Sequence, residues 1–241
     1  MPCYNSEQHI SESIESVINQ SFEDWKLIIT DDCSTDNTVN IIKSYQINEK
    51  RIILFQLTIN SGAAVARNNS IKNSNNRFIS FLDSDDIWLP SKLERQINFM
   101  IKNKLSFTYS GYTVVDEFGK IKQTVNAKKH LTLKQMIRNN YVHCLTAIYD
   151  SELLGKMYMP NLRKRQDWGL WLKIFIRIKE THGISEPLGF YRERTNSMSS
   201  NKIGLLKYNL EIYRGVLGYN LIQSYFLLIQ FLFYYILKKI N

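Results

Sequence analysis

Two apolar runs in this chain of 241 residues end abruptly in clustered carboxylates. Residues 78–82 read Phe-Ile-Ser-Phe-Leu and precede three aspartates, while residues 25–30 precede two more. Continuous hydrophobic runs of this length are typical of strands covered on both faces, as in parallel sheets. The carboxyl ends of parallel strands meet at one edge of the sheet, where ligands bind. We therefore expect one site that contains Asp31, Asp32, Asp83, Asp85 and Asp86.

The acidic cluster at residues 83–86 needs a positive partner, because like charges at this density repel one another. A divalent cation that bridges a substrate diphosphate meets this need, since Mg²⁺-type sites combine one or two carboxylates with phosphate oxygens. The alternative is a solvated acidic turn ahead of the helix that begins near Pro90. The second cluster favours a ligand site, because Asp31 and Asp32 precede the residues that can cap the next helix.

Strand-like and helix-like segments alternate through the first hundred residues. Apolar residues recur at helical spacing in segments 10–18 and 39–45 and separate the strand-like runs 25–30, 51–56 and 78–82. This order predicts an α/β fold with a mostly parallel sheet flanked by helices. The small residues 62–66 open a further helix with Arg67 one turn on, and such a helix start attracts phosphate.

Five motifs stand out in this order: residues 2–5 (Pro-Cys-Tyr-Asn), 31–38, 62–68, 81–90 and 165–171 (Arg-Gln-Asp-Trp-Gly-Leu-Trp). Together they resemble the GT-A-fold, family 2 inverting glycosyltransferases, and most closely the bacterial surface-polysaccharide enzymes of the teichuronic acid and O-antigen type. Five motifs in order are far more specific than any one of them. The resemblance implies a Rossmann-like nucleotide-sugar-binding half at 1–105, an acceptor-binding and catalytic-base half at 106–202, and a helical tail at 203–241.

The resemblance also assigns roles in donor binding. The first motif lines the pocket of the donor base, one of the paired aspartates Asp31 and Asp32 accepts a hydrogen bond from the base imide, and Asp85 ligates an Mn²⁺ or Mg²⁺ ion that neutralises the leaving diphosphate. A segment after residue 190 closes over that diphosphate, although an ordinary surface loop is the alternative. The residues that the resemblance assigns to donor binding are Pro2, Cys3, Tyr4, Asp31, Asp32, Arg67, Asp83, Ser84, Arg192, Arg194 and Ser197.

The catalytic base implied by the resemblance is Asp167, a carboxylate that opens a helix. Residues 167–178 carry apolar side chains at helical spacing, and an aspartate at a helix start interacts favourably with the dipole. A plain capping role is the alternative. The basic residues 163–165 favour catalysis, because they suit anionic phosphates. Many relatives have glutamate before the aspartate, whereas this chain has Gln166. No Gln-x-x-Arg-Trp sequence occurs, which by the same resemblance implies a non-processive enzyme.

The first motif follows a buried apolar strand in enzymes of this kind, whereas only Met1 precedes it here. The resemblance therefore implies that either the true start lies upstream or the chain lacks much of a central strand. Unpaired backbone groups beside such a strand cost on the order of several kcal/mol, so we expect an upstream extension to raise the melting temperature.

Composition limits the partners. A formal charge of +9 suits anionic partners, but the basic residues are dispersed and no nucleic-acid-binding module is recognisable, so we expect no nucleic-acid partner. Three cysteines without zinc-like spacing predict reduced thiols in the cytosol.

Residues 219–237 are almost entirely apolar and precede two lysines. We expect this segment first to lie in the membrane interface, second to pack on its own domain or on a second copy in a homodimer, and third to span the membrane.

The sequence thus predicts an inverting glycosyltransferase, associated peripherally with the cytoplasmic face of the bacterial inner membrane. It would move a hexose from a nucleotide-diphosphate sugar, with UDP as the expected nucleotide, to a lipid-linked saccharide in surface-polysaccharide biosynthesis. Two rival hypotheses are a sugar nucleotidyltransferase and a non-catalytic nucleotide-sugar-binding protein.

Overall fold

The structure, a computed structural model, describes residues 1–193 and 203–240. Its helices are α1 (Ile10–Ile18), α2 (Thr38–Asn48), α3 (Ala63–Asn73), α4 (Lys92–Asn103), α5 (Leu133–Arg138), α6 (Ser151–Leu154), α7 (Gln166–Ile178), α8 (Leu206–Gly215) and α9 (Leu221–Ile240). Its strands are β1 (Pro2–Cys3), β2 (Leu27–Asp31), β3 (Ile52–Gln56), β4 (Phe78–Ser80), β5 (Ile87–Trp88), β6 (Phe107–Thr108), β7 (Ser110–Val115), β8 (Ile121–Val125), β9 (His130–Thr132), β10 (Ile148–Asp150), β11 (Glu180–His182) and β12 (Ile184–Arg192).

The first three strands form the parallel sheet that the alternating pattern predicts. β2 lies between β1 and β3, and both neighbours run parallel to it. All five residues of β2 are buried, which explains its continuous apolar sequence. β1 has only two residues, and the amino group of Met1 donates to the carbonyl of Ile28 at 2.8 Å.

Antiparallel pairing is more common in the second half of the chain. β10 lies between β4 and β6 and runs antiparallel to both. A four-stranded sheet has the order β5-β12-β7-β8, in which only β12 and β7 are parallel. Apolar and β-branched residues at 143–149 predict one strand there, whereas the structure has a 3-10 turn, Cys144–Thr146, before β10. The fold is therefore mixed α/β, with its parallel pairing concentrated in the first 56 residues.

The hydrophobic core has two parts. One fills the space around the first sheet and α1, and the other surrounds α7. Both tryptophans of α7 are fully buried, and their indole nitrogens donate to backbone carbonyls: Trp168 to Met136 at 2.7 Å and Trp171 to Val142 at 3.1 Å. These bonds satisfy the polar atom of each large side chain inside an apolar core. As a result α7 is held rigidly against the sheet.

The helical tail packs on the second core. Leu227 and Leu228 of α9 contact its outer surface, and the ring of Phe231 lies 6.4 Å from that of Trp168. Within residues 1–193 and 203–240, no helix has the combination of length and apolar character needed for a membrane span. A cavity of about 330 Å³ lies between β2 and β4 and is lined mainly by apolar side chains.

Candidate active site

Asp31 and Asp32 both lie at the carboxyl end of β2 and are both buried. Asp31 accepts hydrogen bonds from the Ser34 hydroxyl at 2.5 Å and from the Ser34 amide at 3.0 Å. Asp32 accepts two bonds of 2.7 Å from the amides of Ser61 and Gly62, immediately before α3. Gly62 has a φ of +91°, a backbone conformation that favours glycine. Asp32 therefore fixes the small-residue loop that opens α3.

The first motif lies beside these carboxylates. Pro2 and Cys3 are buried in β1, and the thiol of Cys3 lies 3.6 Å from a carboxylate oxygen of Asp31. Burial and the Asp31 charge raise the pKa of Cys3, so the thiol stays protonated. Tyr4 is half exposed, which leaves its ring accessible to a flat ligand. The structure thus brings Pro2, Cys3, Tyr4 and the paired aspartates together.

The buried Arg67 forms an ion pair with the partly buried Asp83, although 16 residues separate them in the sequence. The guanidinium of Arg67 on α3 lies 2.5 Å from a carboxylate oxygen of Asp83. Burial opposes both charges, but the attraction between them prevails, raising the pKa of Arg67 and lowering that of Asp83. The pair joins the helix that begins at Gly62 to the acidic turn after β4.

The acidic turn is anchored from the opposite side by Arg192. Its amide donates to a carboxylate oxygen of Asp86 at 3.0 Å, and its guanidinium donates to the carbonyls of Asp85 and Glu117 and to the carboxylate of Glu12. Arg192 ends β12 rather than lying in a loop, and it is buried. These contacts favour a role in shaping the turn, and a direct contact of Arg192 with donor remains a prediction.

Two further donor-binding predictions, Arg194 and Ser197, lie outside the described residues. Ser84 is described, and its hydroxyl is buried 2.8 Å from that of Ser6. This contact ties the middle of the acidic turn to the loop that follows the first motif.

The residues of the acidic turn fit a divalent cation. Burial, with the charges of Asp85 and Asp83, raises the pKa of Asp86 well above its usual range, and a positive charge beside the turn would favour the ionised form of this carboxylate. One carboxylate oxygen of Asp86 is buried and has no hydrogen-bond partner among the described residues. No three His, Cys, Asp or Glu side chains in the described part form a complete protein cage. A Mg²⁺-type ion needs only one or two carboxylates together with phosphate oxygens.

Asp167 is the second residue of α7, and it is partly buried. The side-chain amide of Asn140 donates to its carboxylate at 3.0 Å, which fixes the orientation of the carboxylate. Arg165 precedes the helix with a φ of +59°, and its guanidinium lies over the Trp168 ring. The Pro160 ring packs closely on the backbone at Gly169, since a Cβ atom added at Gly169 would lie 2.4 Å from that ring.

His143 joins the donor side of the site to Asp167. Its ring lies between those of Tyr112 and Tyr191, with centroid distances of 4.9 and 4.4 Å. Burial lowers its pKa, while the charges of Asp167 and Asp83 act in the opposite direction, which shows that both carboxylates lie near it. The imidazole is therefore neutral at pH 7. The sequence alone assigns no role to Asn140 or His143, because neither residue belongs to a recognisable motif.

Solved structures of similar fold include complexes with bound nucleotide sugars. TarS residues 1–349 from S. aureus, in complex with UDP-GlcNAc, has a TM-score of 0.75 at 24% identity, covering 96% of this chain and 70% of that chain. Mannosyltransferase PcManGT from Pyrobaculum calidifontis, in complex with GDP-Man and Mn²⁺, has a TM-score of 0.64 at 14% identity, covering 91% and 63%. At such identities the likeness concerns the fold, and it confirms the predicted fold class.

Sequence comparison identifies the family. The model of the family described as "Glycosyl transferase family 2" matches residues 1–155. TuaG of Bacillus subtilis (strain 168), named for teichuronic acid biosynthesis, is 36% identical over 231 residues, which are 95% of this chain and 92% of TuaG. WfgD of Escherichia coli, a UDP-Glc:alpha-D-GlcNAc-diphosphoundecaprenol beta-1,3-glucosyltransferase, is 38% identical over 95% of this chain and 89% of its own length. The chain belongs to family 2 of the glycosyltransferases, as its motifs predict.

Proposed function

We propose that this protein transfers a hexose from a UDP-sugar to a lipid-linked saccharide, with inversion at the anomeric carbon and one sugar added per encounter. The observation that carries the proposal is the convergence of two sets of groups. The Arg67–Asp83 pair and the acidic turn lie on the donor side, and Asp167 opens α7 across from them, with His143 near both. Family membership fits glycosyl transfer rather than nucleotidyl transfer or binding alone.

The base in this proposal is Asp167. Its carboxylate takes the proton from the acceptor hydroxyl as that oxygen attacks the anomeric carbon, and the nucleoside diphosphate leaves from the opposite face. Asn140 holds the carboxylate from one side, so the other oxygen remains for the acceptor. General-base catalysis of this kind contributes about 10²- to 10⁴-fold in rate.

The donor site stabilises the leaving group. Asp85 would hold an Mn²⁺ or Mg²⁺ ion, which supplies positive charge to the departing diphosphate. Arg67 neutralises Asp83 and keeps that carboxylate ionised for hydrogen bonds with the ribose or donor sugar. The first motif, together with Asp31 or Asp32, binds the nucleobase of the donor.

The names of relatives support the substrate classes and the location. WfgD and WfaP of Escherichia coli are both named for glucosyl transfer from UDP-Glc to a GlcNAc-diphosphoundecaprenol. We extend these classes to the present chain: a UDP-hexose donor and a polyprenyl-diphosphate-linked acceptor. An acceptor of this kind lies in the bilayer, so the protein would act as a peripheral protein at the cytoplasmic face of the inner membrane.

Calorimetric titration tests the donor site. We would titrate the wild type with UDP, GDP, dTDP and CMP, with and without Mn²⁺, and compare Asp85→Ala with the exposed control Asp24→Ala. The proposal predicts selective, Mn²⁺-dependent UDP binding that Asp85→Ala loses and Asp24→Ala keeps. Folded wild-type protein that binds no nucleotide in the presence of Mn²⁺ would overturn it.

A further inference from the structure

Helix α9 has two faces of different character. One face packs on the protein: Ser224 is fully buried, and Phe231 contacts both the Trp168 ring and the Arg165 guanidinium, the latter at 5.1 Å from its ring centroid. This face fixes α9 against α5, α8 and the start of α7. The orientation of α9 is therefore set by the domain itself.

The opposite face exposes a stripe of large apolar side chains to solvent. At 100° per residue, five of them fall within about 140° of the helix circumference. They are Leu221 (52% exposed), Ile222 (82%), Tyr225 (50%), Phe226 (60%) and Ile229 (65%). We call these five residues the α9 stripe. A contiguous apolar patch of this kind marks an interaction surface.

The charges around the α9 stripe indicate its partner. Residues 221–240 contain two basic residues, Lys238 and Lys239, and no acidic residue, while the adjoining helix α8 exposes Lys207 and Arg214 together with one acidic residue, Glu211. An apolar face with aromatic rings and basic flanks suits the surface of an anionic bilayer. A second copy of the chain, with the same formal charge of +9, would bring like charges together. We propose that the α9 stripe docks on the surface of an anionic lipid bilayer.

Docking through the α9 stripe places the start of α7 about one helix diameter, roughly 10 Å, from the membrane surface. Phe231 lies on the packed face of α9 and contacts Trp168, the residue after Asp167. A saccharide attached to a membrane diphosphate then reaches Asp167 from the plane of the bilayer. This step rests on the proposed function, whereas the docking itself depends only on the exposed stripe and its charges.

Vesicle co-sedimentation tests the docking surface. The samples are the wild type, the double variant Ile222→Glu/Phe226→Glu, and the control Ile47→Glu/Ile101→Glu, which alters two exposed isoleucines on α2 and α4. Vesicles contain phosphatidylcholine alone or with about one third phosphatidylglycerol, so that the charge requirement is visible. We expect the wild type and the control to bind the anionic vesicles, and the α9 variant to bind them at least tenfold more weakly.

Urea denaturation and sedimentation velocity complete the experiment. A cooperative unfolding transition of the α9 variant near the midpoint of the wild type shows that the variant is folded, so its loss of vesicle binding supports docking. Equal vesicle binding by wild type and α9 variant would overturn the proposal. So would a wild-type dimer that the variant dissociates, with no vesicle binding, since the stripe would then be a subunit interface. Vesicle binding without sugar transfer would refute the proposed function and leave the docking surface in place.

Discussion

Lys92 is a buried lysine whose titration should be visible in the stability of the whole protein. It lies in α4 with no exposed surface, its ammonium group donates to the Ser80 hydroxyl at 2.8 Å, and it lies 4.1 Å from the centre of the Trp88 ring. No carboxylate among the described residues forms an ion pair with it. Burial lowers the pKa of Lys92 to about 7. At neutral pH the group is therefore half deprotonated in the folded protein.

The size of the effect follows from proton linkage. In the unfolded chain a lysine has a pKa of about 10.4, so between about pH 7 and pH 10 the unfolded chain binds more protons than the folded protein, and stability rises with pH. Integration of this difference gives a penalty from Lys92 of about 4 kcal/mol at pH 7 and about 2 kcal/mol at pH 9. Lys92→Met removes the titrating group and should abolish about 2 kcal/mol of the rise between these two pH values.

Urea denaturation at pH 7, 8 and 9 measures this difference directly. The control is Lys102→Met, which alters an exposed lysine in the same helix. Contributions of other titrating groups are common to all three proteins and cancel in the comparison. We expect Lys102→Met to follow the wild type and Lys92→Met to show a flatter dependence. A slope for Lys92→Met equal to that of the wild type would refute the reasoning.

Three further predictions concern the site. Arg67→Met leaves the partly buried Asp83 without its partner and should lower the unfolding free energy by about 1 to 3 kcal/mol, while adding Asp83→Asn should recover part of that loss. Additive costs in the double-mutant cycle would contradict the ion pair. Asn140→Leu removes the hydrogen bond to the Asp167 carboxylate and should lower kcat about tenfold or more at unchanged UDP affinity. An unchanged kcat would show that this contact does not orient Asp167. Gly169→Ala should lower the free energy of unfolding, measured by urea denaturation, by about 1 to 3 kcal/mol, because the new methyl group meets the Pro160 ring. A gain in stability of the size expected from helix propensity would contradict that contact.

Local sequence patterns predicted several individual elements well. Continuous apolar sequence predicted β2, and helical spacing predicted α7 to within a residue of its observed start at Gln166. Both signals depend on neighbours in the sequence and on a single buried surface. The same reasoning was wrong at residues 143–149, where a 3-10 turn replaces the first part of the strand, because apolar residues there fill the core without regular pairing.

Contacts between distant residues in the site could not be predicted from local sequence patterns. The sequence shows Arg67 and Asp83 as separate motif members, but nothing in their spacing predicts that they pair. Likewise the position of Arg192 at the end of β12 depends on pairing with β7 and β5, which brings it to the acidic turn. Such contacts are set by sheet order, and sheet order depends on tertiary packing rather than on sequence periodicity.

The most direct test of the whole account is the rate of sugar transfer by Asp167→Asn. We would measure transfer from UDP-glucose to a lipid-linked GlcNAc diphosphate, with UDP affinity determined by calorimetry on the same samples. The account predicts that Asp167→Asn binds UDP as the wild type does and loses about 10²- to 10⁴-fold in transfer rate, the contribution of a general base. Transfer at the wild-type rate by Asp167→Asn would contradict the assignment of the base and, with it, the proposed arrangement of the active site.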